Sequence, residues 1–309
     1  MSFTPSVKVS VVIPVYNKEP YVEKCLRSIM TQNFPSFEAI AVDDGSTDSS
    51  GYVCDRMARE YPSLKVFHRH NAGVTAARRF GVDNSQGRYI MFVDSDDQLR
   101  PAAISTLYEA IERTGADEVL GSAIDQYGKP IMKSGLSGNV DPDWMLSQLL
   151  ASRASFPVLW AVIFRRELLH ECLVAPPIIC SGEDILMQIF CLVKKPKVVA
   201  IPNAVYNYVK DLPNDRSLNL PAQKAYDKML RQAFASRWDE LKDLFTLRQL
   251  KIYENFLAKG RLDVFQKYYR QTRSRLNRNI PLPERIVACL PPCLAAMLVR
   301  QRKFISSPR

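Results

Sequence analysis

The 309-residue sequence lacks any run of about 18 apolar residues, the length that a helix needs to cross a bilayer. It therefore predicts no membrane-spanning helix. The stretch MSFTPSVKVSVVIPVYN also lacks the features of a signal peptide, because its apolar run begins after a Lys, breaks at Pro14 and has no small-residue cleavage site. These absences favour a cytoplasmic protein.

Paired cysteine motifs are missing as well. The seven cysteines are an odd number with no closely spaced Cys-x-x-Cys pair. The sequence thus favours reduced, buried thiols over a disulfide framework or a zinc site. Cys289 and Cys293 would share a face if one helix carried both, and they are interpreted as apolar side chains because no second ligand pair lies nearby.

Acidic residues are scarce in the last third of the chain. Residues 220–309 carry 19 Lys and Arg against 7 Asp and Glu, whereas residues 1–219 carry 23 against 25. A basic C-terminal region of this kind suits nucleic acid, an anionic membrane surface or a phosphorylated acceptor. Solvated helix faces would explain it without a partner, and charge alone leaves these alternatives open.

Short β-branched runs alternate with helical patterns through the first 120 residues. The predicted strands are Val9–Val15, Phe37–Val42, Lys65–His68 and Tyr89–Val93. Strands that alternate with helices of about 10–15 residues indicate a mostly parallel sheet flanked by helices. Ligands of such sheets bind beyond the carboxyl ends of the strands, and here these ends carry Pro14–Asn17, Asp43–Asp48 and Asp94–Asp97.

The later part of the chain is less regular. The pattern predicts strands at Leu159–Phe164, Lys197–Ile201 and Val205–Val209 and an apolar-faced helix at Glu183–Val193. Long amphipathic helices are predicted over residues 222–275.

Three carboxylates, those of Asp94, Asp96 and Asp97, crowd into four residues at the end of a hydrophobic strand. Like charges so close repel unless a cation is bound, and hard oxygen ligands suit Mg²⁺ or Mn²⁺ held together with substrate phosphates. A solvated acidic turn, with Asp97 capping the next helix, is the alternative.

Two further segments allow both a functional and a structural interpretation. A carboxylate of Asp43-Asp44 could accept a hydrogen bond from a uracil imide or from ribose hydroxyls, although helix capping explains most of that segment. Glu183-Asp184 could hold a general base, but acidic residues in a first helical turn also favour the helix dipole. Arg78 could reach a diphosphate, or it could belong to a surface Arg pair.

Taken in order, the segments VSVVIPVYN, VDDGSTD, NAGVTAARRFGVDNSQGRYIMFVDSDD, LWAVIFRREL, GEDILMQIF and YNY resemble glycosyltransferase family 2 over roughly residues 8–217. The resemblance implies a GT-A fold of the α/β class. It also implies a metal-dependent, inverting hexosyl- or N-acetylhexosaminyltransferase of cell-surface polysaccharide synthesis. Its donor would be a nucleotide sugar, expected to carry UDP, and its acceptor a glycan or a polyprenyl-diphosphate-linked saccharide.

The resemblance also implies roles for individual residues. The uridine pocket would contain Pro14, Val15 and Tyr16, and Asp44 would bind the uracil. Asp94-Ser95-Asp96 would be the DxD element, with Asp94 and Ser95 at the nucleotide, Asp94 also near the metal and Asp96 its direct ligand.

The remaining implied roles concern the diphosphate and the reacting hydroxyl. Arg78 would lie near the diphosphate. Asp184 would be the catalytic base, with Glu183 beside it. Tyr206, Tyr208 and Ser217 match the family's YxY segment and the serine that often follows.

Three departures from the family pattern bear on substrate identity. They are Arg79 in place of a frequent Asn, Ala161-Val162 after Trp160 in place of Asn-Lys, and a longer loop over Lys210–Asn219. None falls on a metal or base position.

The expected organisation is a GT-A domain at residues 1–217, with a nucleotide-binding half at about 8–115 and an acceptor half at about 116–217. A helical basic region follows at residues 218–309. Apolar and basic residues within Ile280–Phe304 would allow peripheral contact with the anionic inner face of the cell membrane. No nucleic-acid partner is expected.

Three rival functions remain. A sugar nucleotidyltransferase would need a Gly-rich loop after the first strand, where this chain has Pro14-Val15-Tyr16-Asn17. A basic nucleic-acid-binding protein would interleave aromatic and basic residues, but the aromatics after residue 250 have the helical spacing of a packed core. An inactive transferase fold would not be expected to keep Asp96 and Asp184.

Overall fold

A computed structural model describes residues 7–131, 135–179, 181–210 and 219–306, with side chains to residue 302. The described residues form two compact units, one within Met1–Trp144 and Ser155–Ser217 and the other within Met145–Ala154 and Leu218–Arg309. Met145–Ala154 belongs to the second unit because Ala151 packs in that unit's apolar cluster. The predicted boundary at residues 217 and 218 lies outside the described residues.

The first unit is built on a mixed sheet. Its strands are β1 (Val9–Val15), β2 (Phe37–Asp43), β3 (Leu64–His68), β4 (Tyr89–Phe92), β5 (Gln98–Leu99), β6 (Glu118–Asp125), β7 (Gly138–Val140), β8 (Val162–Arg165) and β9 (Val198–Tyr208). Their spatial order is β3-β2-β1-β4-β8-β6-β9-β5, with β7 also paired to β9. Strands β1 to β4 are mutually parallel where they pair, β8 is antiparallel to β4 and β6, and β6 is parallel to β9.

Helices cover this sheet. They are α1 (Glu19–Met30), α2 (Ser50–Glu60), α3 (Val74–Asp83), α4 (Ala103–Thr114), α6 (Arg166–Leu169) and α7 (Glu183–Val193), while α5 (Pro142–Leu150) runs into the second unit. Every residue of β1 is buried, as expected for a β-branched central parallel strand. Gly81 in α3 permits close packing on β1, because a methyl group there would overlap Val12.

The predicted fold class is confirmed, with local differences in the second half. The strand expected at Leu159–Phe164 begins only at Val162, because Ala161 adopts a φ of 59°. The two strands expected at Lys197–Ile201 and Val205–Val209 are one continuous β9. Strands β5 and β7 have two and three residues, which is too short for a period to show in the sequence.

The second unit is helical, as predicted. It contains α8 (Leu220–Ala233), α9 (Trp238–Ala258), a π-helical turn at Phe265–Tyr269, a 3₁₀ segment at Arg270–Arg275, α10 (Leu282–Cys289) and α11 (Pro292–Ser306). Its apolar core includes Leu250, Phe256, Val287 and Ala295. Of the helices in the described ranges, none combines the length and the apolar character that crossing a bilayer requires.

The cysteines only partly match their interpretation. Cys25, Cys54, Cys172 and Cys191 are buried and free, but Cys289 and Cys293 are exposed. The last two also lie on different helices, because α10 ends at Cys289 and α11 begins at Pro292. Cys180 lies outside the described residues.

Candidate active site

The parallel pairing of the first strands brings three polar segments to one edge of the sheet. Val15 lies opposite Asp43 across β1 and β2, and Val12 lies opposite Phe92 across β1 and β4. A cavity of about 660 Å³ opens beyond these strand ends. Its lining includes each residue predicted to bind nucleotide or metal, namely Pro14, Val15, Tyr16, Asp44, Arg78, Asp94, Ser95 and Asp96, together with Lys18, Pro177 and Glu183.

A second cavity of about 340 Å³ adjoins the first and is lined by the predicted base, Asp184. The two cavities share Arg78, Asp94 and Glu183. Asp44 and Asp96 therefore face one chamber, and Asp184 faces the chamber beside it.

A larger cavity of about 840 Å³ contains none of the predicted site residues. Its lining includes Arg79, Arg166 and Lys194. Arg166 donates hydrogen bonds to the carbonyl oxygens of Ser85 and Gly87, so its guanidinium already has partners. The chemistry-bearing side chains are gathered at the two adjoining cavities instead.

Arg78 links the two cavities electrostatically. Its Nη2 lies 2.9 Å from Asp94 Oδ1 and its Nη1 lies 3.3 Å from Glu183 Oε1, while only 5% of its side chain is exposed. Burial would lower the pKa of this guanidinium, but Asp94, Glu183 and Asp184 raise it above its ordinary value. One buried cation thus compensates three carboxylates from two separate elements of the chain.

Glu183 and Asp184 open α7 after Gly182, whose φ is 81°. Burial raises the pKa of Asp184 against the lowering influence of Arg78. Burial, and then the charge of Asp184, raise the pKa of Glu183. Asp184 is a partly buried carboxylate with a raised pKa beside a cavity, and these are the properties of a general base.

The acidic loop is the segment Asp94–Asp97, and its three carboxylates differ in burial and in hydrogen-bond partners. Asp97 is buried and accepts hydrogen bonds from the Tyr206 hydroxyl (2.9 Å) and the Val209 amide (2.7 Å). Burial and then the charge of Asp94 raise its pKa to about 8. Of these three residues, only Asp94 and Asp96 line the cavity.

These two carboxylates fit a hard divalent cation that is also held by phosphate oxygens. In this structure the Asp96 carboxylate forms an ion pair with Lys18, whose Nζ lies 2.5 Å from Asp96 Oδ2. Among the described residues, no group of three or more His, Cys, Asp or Glu is arranged to hold a metal ion by itself. The predicted ligand set, two carboxylates plus donor phosphates, is not a group of that kind.

The adjacent residues Asp43 and Asp44 have different partners and different roles. Asp43 accepts from the Ser46 amide and contacts His68 Nδ1 at 2.9 Å, while His68 Nε2 lies 3.0 Å from Asp55. These two carboxylates raise the pKa of His68, which is therefore an ion-pairing residue.

Asp44 instead faces the cavity and fixes the loop before α3. Its carboxylate accepts hydrogen bonds from the amides of Ala72 (3.2 Å) and Gly73 (2.8 Å) and lies 3.3 Å from Arg69 Nε. Gly45, with a φ of 78°, permits the close approach of this loop, because a Cβ there would lie 2.9 Å from the Asn71 nitrogen.

Comparison with known proteins identifies the family. The family described as Glycosyl transferase family 2 matches residues 10–173, more than half of the chain. The chain belongs to glycosyltransferase family 2.

Several relatives of this family member are known. Glycosyltransferase GlyA of Streptococcus pneumoniae is 42% identical over 115 residues, which are 37% of this chain and 16% of that protein. The poly(ribitol-phosphate) beta-glucosyltransferase of Bacillus spizizenii is 28% identical over 256 residues, covering 81% of this chain and 40% of that one. The chain thus spans less than half the length of these two relatives.

The fold of this chain is similar to that of a solved structure, S. aureus TarS in complex with UDP-GlcNAc. The TM-score is 0.65 at 21% sequence identity, covering 91% of this chain and 79% of the other. The likeness supports the GT-A type of fold.

Some residues of the candidate site were not predicted from the sequence. Lys18 lies only two residues after Tyr16, but its partner Asp96 is 78 residues away, and no local pattern indicates the pair. Pro177 lies in an irregular segment without periodicity. Trp160 marked a family segment, and its ring packs against Tyr206 and Tyr208 at centroid distances of 5.6 and 5.5 Å. Ser217 lies outside the described residues.

Tyr206, on β9, hydrogen-bonds the acidic loop, and loss of its hydroxyl should lower the stability of the fold. Its hydroxyl accepts from the Asp94 amide at 3.2 Å and donates to Asp97. Tyr206→Phe should reduce the free energy of unfolding by about 1–3 kcal/mol, because buried polar groups lose their partner. Urea denaturation measures this, with Tyr108→Phe as the control. Equal stability of the two variants would contradict this role.

Proposed function

We propose that this chain is a metal-dependent, inverting hexosyl- or N-acetylhexosaminyltransferase that uses a UDP-sugar. Its acceptor would be a hydroxyl of a glycan or of a polyprenyl-diphosphate-linked saccharide, in cell-surface polysaccharide synthesis. The observation that carries this proposal is the position of Asp44, Asp96 and Asp184 along two adjoining cavities joined by Arg78. The complex of TarS with UDP-GlcNAc supports a UDP donor.

The larger of the two cavities would hold the nucleotide. Pro14, Val15 and the half-exposed ring of Tyr16 offer an apolar wall for uridine, and Asp44 offers an acceptor for the uracil imide N–H. Arg78 brings positive charge to the same cavity, in reach of a diphosphate. Ser95 would assist at the ribose.

Asp94 and Asp96 would hold Mn²⁺ or Mg²⁺. When bound, the ion would neutralise the negative charge that develops on the departing nucleoside diphosphate. Lys18 would leave Asp96 as the ion binds and would turn its ammonium towards the diphosphate. Arg78 would stay in place, since its side chain is buried and paired.

Asp184 would remove the proton from the acceptor hydroxyl as that oxygen attacks the anomeric carbon. Glu183 is less suited to this role because Arg78 holds it in an ion pair, whereas no ion pair within 4 Å reaches Asp184 from the described residues. A single base without a nucleophile implies one displacement. An α-linked nucleotide sugar would then give a β-glycoside.

The basic C-terminal region would interact with an anionic acceptor or with the membrane that carries it. A relative's name specifies poly(ribitol-phosphate), which supports an anionic acceptor polymer. Exposed Ile286, Leu294 and Met297 beside basic residues would allow the protein to bind the inner membrane face peripherally. Flotation with anionic liposomes at low salt tests this part, and protein that stays at the bottom of the gradient would contradict it.

The transfer itself is tested with a panel of nucleotide sugars and Mn²⁺, by measuring nucleoside diphosphate release. We expect release of UDP from a UDP-sugar, accelerated by the correct acceptor and abolished by EDTA. Formation of pyrophosphate from a nucleoside triphosphate and a sugar phosphate would instead favour a nucleotidyltransferase.

Lys18→Met should strengthen Mn²⁺ binding in the absence of donor. The ammonium competes for Asp96, and a partly exposed ion pair is worth about 0.2–1 kcal/mol, so the expected gain in affinity is up to about fivefold. Titration followed by the electron paramagnetic resonance of free Mn²⁺ measures it. Lys24→Met, an exposed lysine on α1, is the matched control. Unchanged or weaker binding in Lys18→Met would argue against a metal at Asp96.

A further inference from the structure

Three arginines of the second unit lie against aromatic rings of α8 and α9. The guanidinium carbons of Arg231 and Arg275 lie 5.7 and 5.5 Å from the centroid of the Phe245 ring, and Arg231 also lies 4.7 Å from the Trp238 ring. Arg248, from α9, lies 5.1 Å from the Tyr226 ring. The sequence region was predicted to be basic, but its spacing did not reveal this cluster.

No carboxylate lies within ion-pairing distance of these three guanidinium groups in the part of the chain that the structure describes, and Asp227 acts on Arg248 and Arg275 only over a longer distance. The acid in their midst is Asp227, and its oxygens accept from the neutral donors Gln223 (2.8 Å), Gln249 (2.7 Å) and Tyr268 (3.0 Å). Burial raises the pKa of Asp227 against the lowering influence of these hydrogen bonds and of the Arg248 charge, and this reduces its value as a counter-ion.

The hydrogen-bonding capacity of the three guanidinium groups is also largely unused. Arg275 donates one hydrogen bond, to the neutral Gln249 Oε1 at 2.7 Å. No hydrogen bond or ion pair connects Arg231 or Arg248 to any residue of the described ranges, and Arg248 Nε is buried without a partner.

Other basic residues of the same unit do have acidic partners. Lys251 contacts both Glu254 and Glu284, and Arg302 contacts the same two carboxylates. Arg231, Arg248 and Arg275 differ from these two residues, because no carboxylate of the described ranges pairs with them. Burial and then the charge of Arg231 lower the pKa of Arg275, so these neighbours repel each other.

An anion with several oxygens would relieve this repulsion. Guanidinium groups bind phosphate through two parallel hydrogen bonds, and stacking on aromatic rings holds their planes in position before a ligand arrives. We propose that Arg231, Arg248 and Arg275 form a binding site for a phosphate ester. This site is separate from the donor cavities and does not depend on the proposed sugar transfer.

The aromatic rings favour a phosphate ester without a base over nucleic acid. Proteins that bind single strands stack the bases on free aromatic faces. Here Phe245 is buried and contacted by two guanidinium groups, and Trp238 already stacks with Arg231. The ligand would therefore be recognised through its phosphate oxygens alone.

The proposal is tested by calorimetric titration of the full chain with sn-glycerol 3-phosphate at constant ionic strength. Arg231→Gln should weaken binding by about tenfold or more, because each hydrogen bond to a charged group contributes about 1.5–3 kcal/mol. Arg275→Lys keeps the charge but loses the planar fork, and it should weaken binding several-fold. Circular dichroism melts verify that both variants are folded.

The matched control is Arg261→Gln, which removes the same charge from an exposed arginine that pairs with Asp263 at 3.3 Å. It should leave the dissociation constant within about twofold of the wild-type value. Equal weakening by Arg261→Gln would show a diffuse charge effect and overturn the site. Binding to phosphatidylglycerol vesicles with no binding of soluble glycerol 3-phosphate would overturn it as well.

Discussion

Asp184→Asn should lower turnover by a factor on the order of 10²–10⁴ while the affinity for the UDP-sugar stays nearly unchanged. The substitution keeps the shape of the side chain but removes its ability to take a proton. Asp184 lines the smaller cavity and not the chamber assigned to the nucleotide, so donor binding should be spared. Steady-state UDP release gives the turnover, and calorimetry with UDP gives the affinity.

The pH profile distinguishes loss of a base from a general disturbance of the site. Since the pKa of Asp184 is raised, wild-type activity should fall as the pH drops through a value above the ordinary aspartate range of about 4. The Asp184→Asn variant should lack this acidic limb. Asp83→Asn, an exposed carboxylate on α3, serves as the control and should keep full activity. If Asp184→Asn turns over at the wild-type rate, the base is another residue.

Arg78→Met should reduce the free energy of unfolding by about 3–5 kcal/mol near neutral pH. The substitution retains an unbranched side chain of similar length but removes the cation that compensates Asp94, Glu183 and Asp184. Two of these carboxylates are largely desolvated, so their repulsion is poorly screened. Urea denaturation measures the loss, and Arg79→Met is the matched control because Arg79 is exposed and weakly paired with Asp83.

The direction of the pH dependence provides a second test of Arg78. The folded-state pKa values of Glu183 and Asp184 are already raised, and loss of Arg78 should raise them further. Such groups stabilise the fold below their unfolded pKa values and lose that contribution as the pH rises through the folded values. The loss of unfolding free energy in Arg78→Met should therefore be smaller at pH 5 than at pH 8. A deficit that does not change with pH, or one that Arg79→Met shares, would contradict the electrostatic role.

Local sequence patterns predicted the first four strands of the fold well. A run such as Val9–Val15 is buried on both faces, so its β-branched residues indicate a parallel strand directly. Once the strands are parallel, their polar ends must meet at one edge. The parallel topology alone therefore predicts that Asp44 and Asp96 lie at one cavity, as they do.

What local patterns did not predict depends on contacts between distant residues. The ion pair of Arg78 with Glu183 joins positions 105 residues apart, and that of Lys18 with Asp96 joins positions 78 apart. Asp97 has the same sequence environment as Asp96, yet a hydroxyl from β9 binds it inside the protein. The helical spacing of the second unit predicted its core but not which arginines stack on that core.

A crystal structure with UDP and Mn²⁺, with the metal located by its anomalous scattering, would show directly whether the donor and the metal bind where we propose. We expect a manganese peak at the carboxylates of Asp94 and Asp96, uracil between Tyr16 and Asp44, and the diphosphate near Arg78, with Asp184 facing the side on which the sugar would be attacked. UDP bound instead in the cavity beside Arg79 and Arg166, or manganese bound away from Asp96, would contradict it.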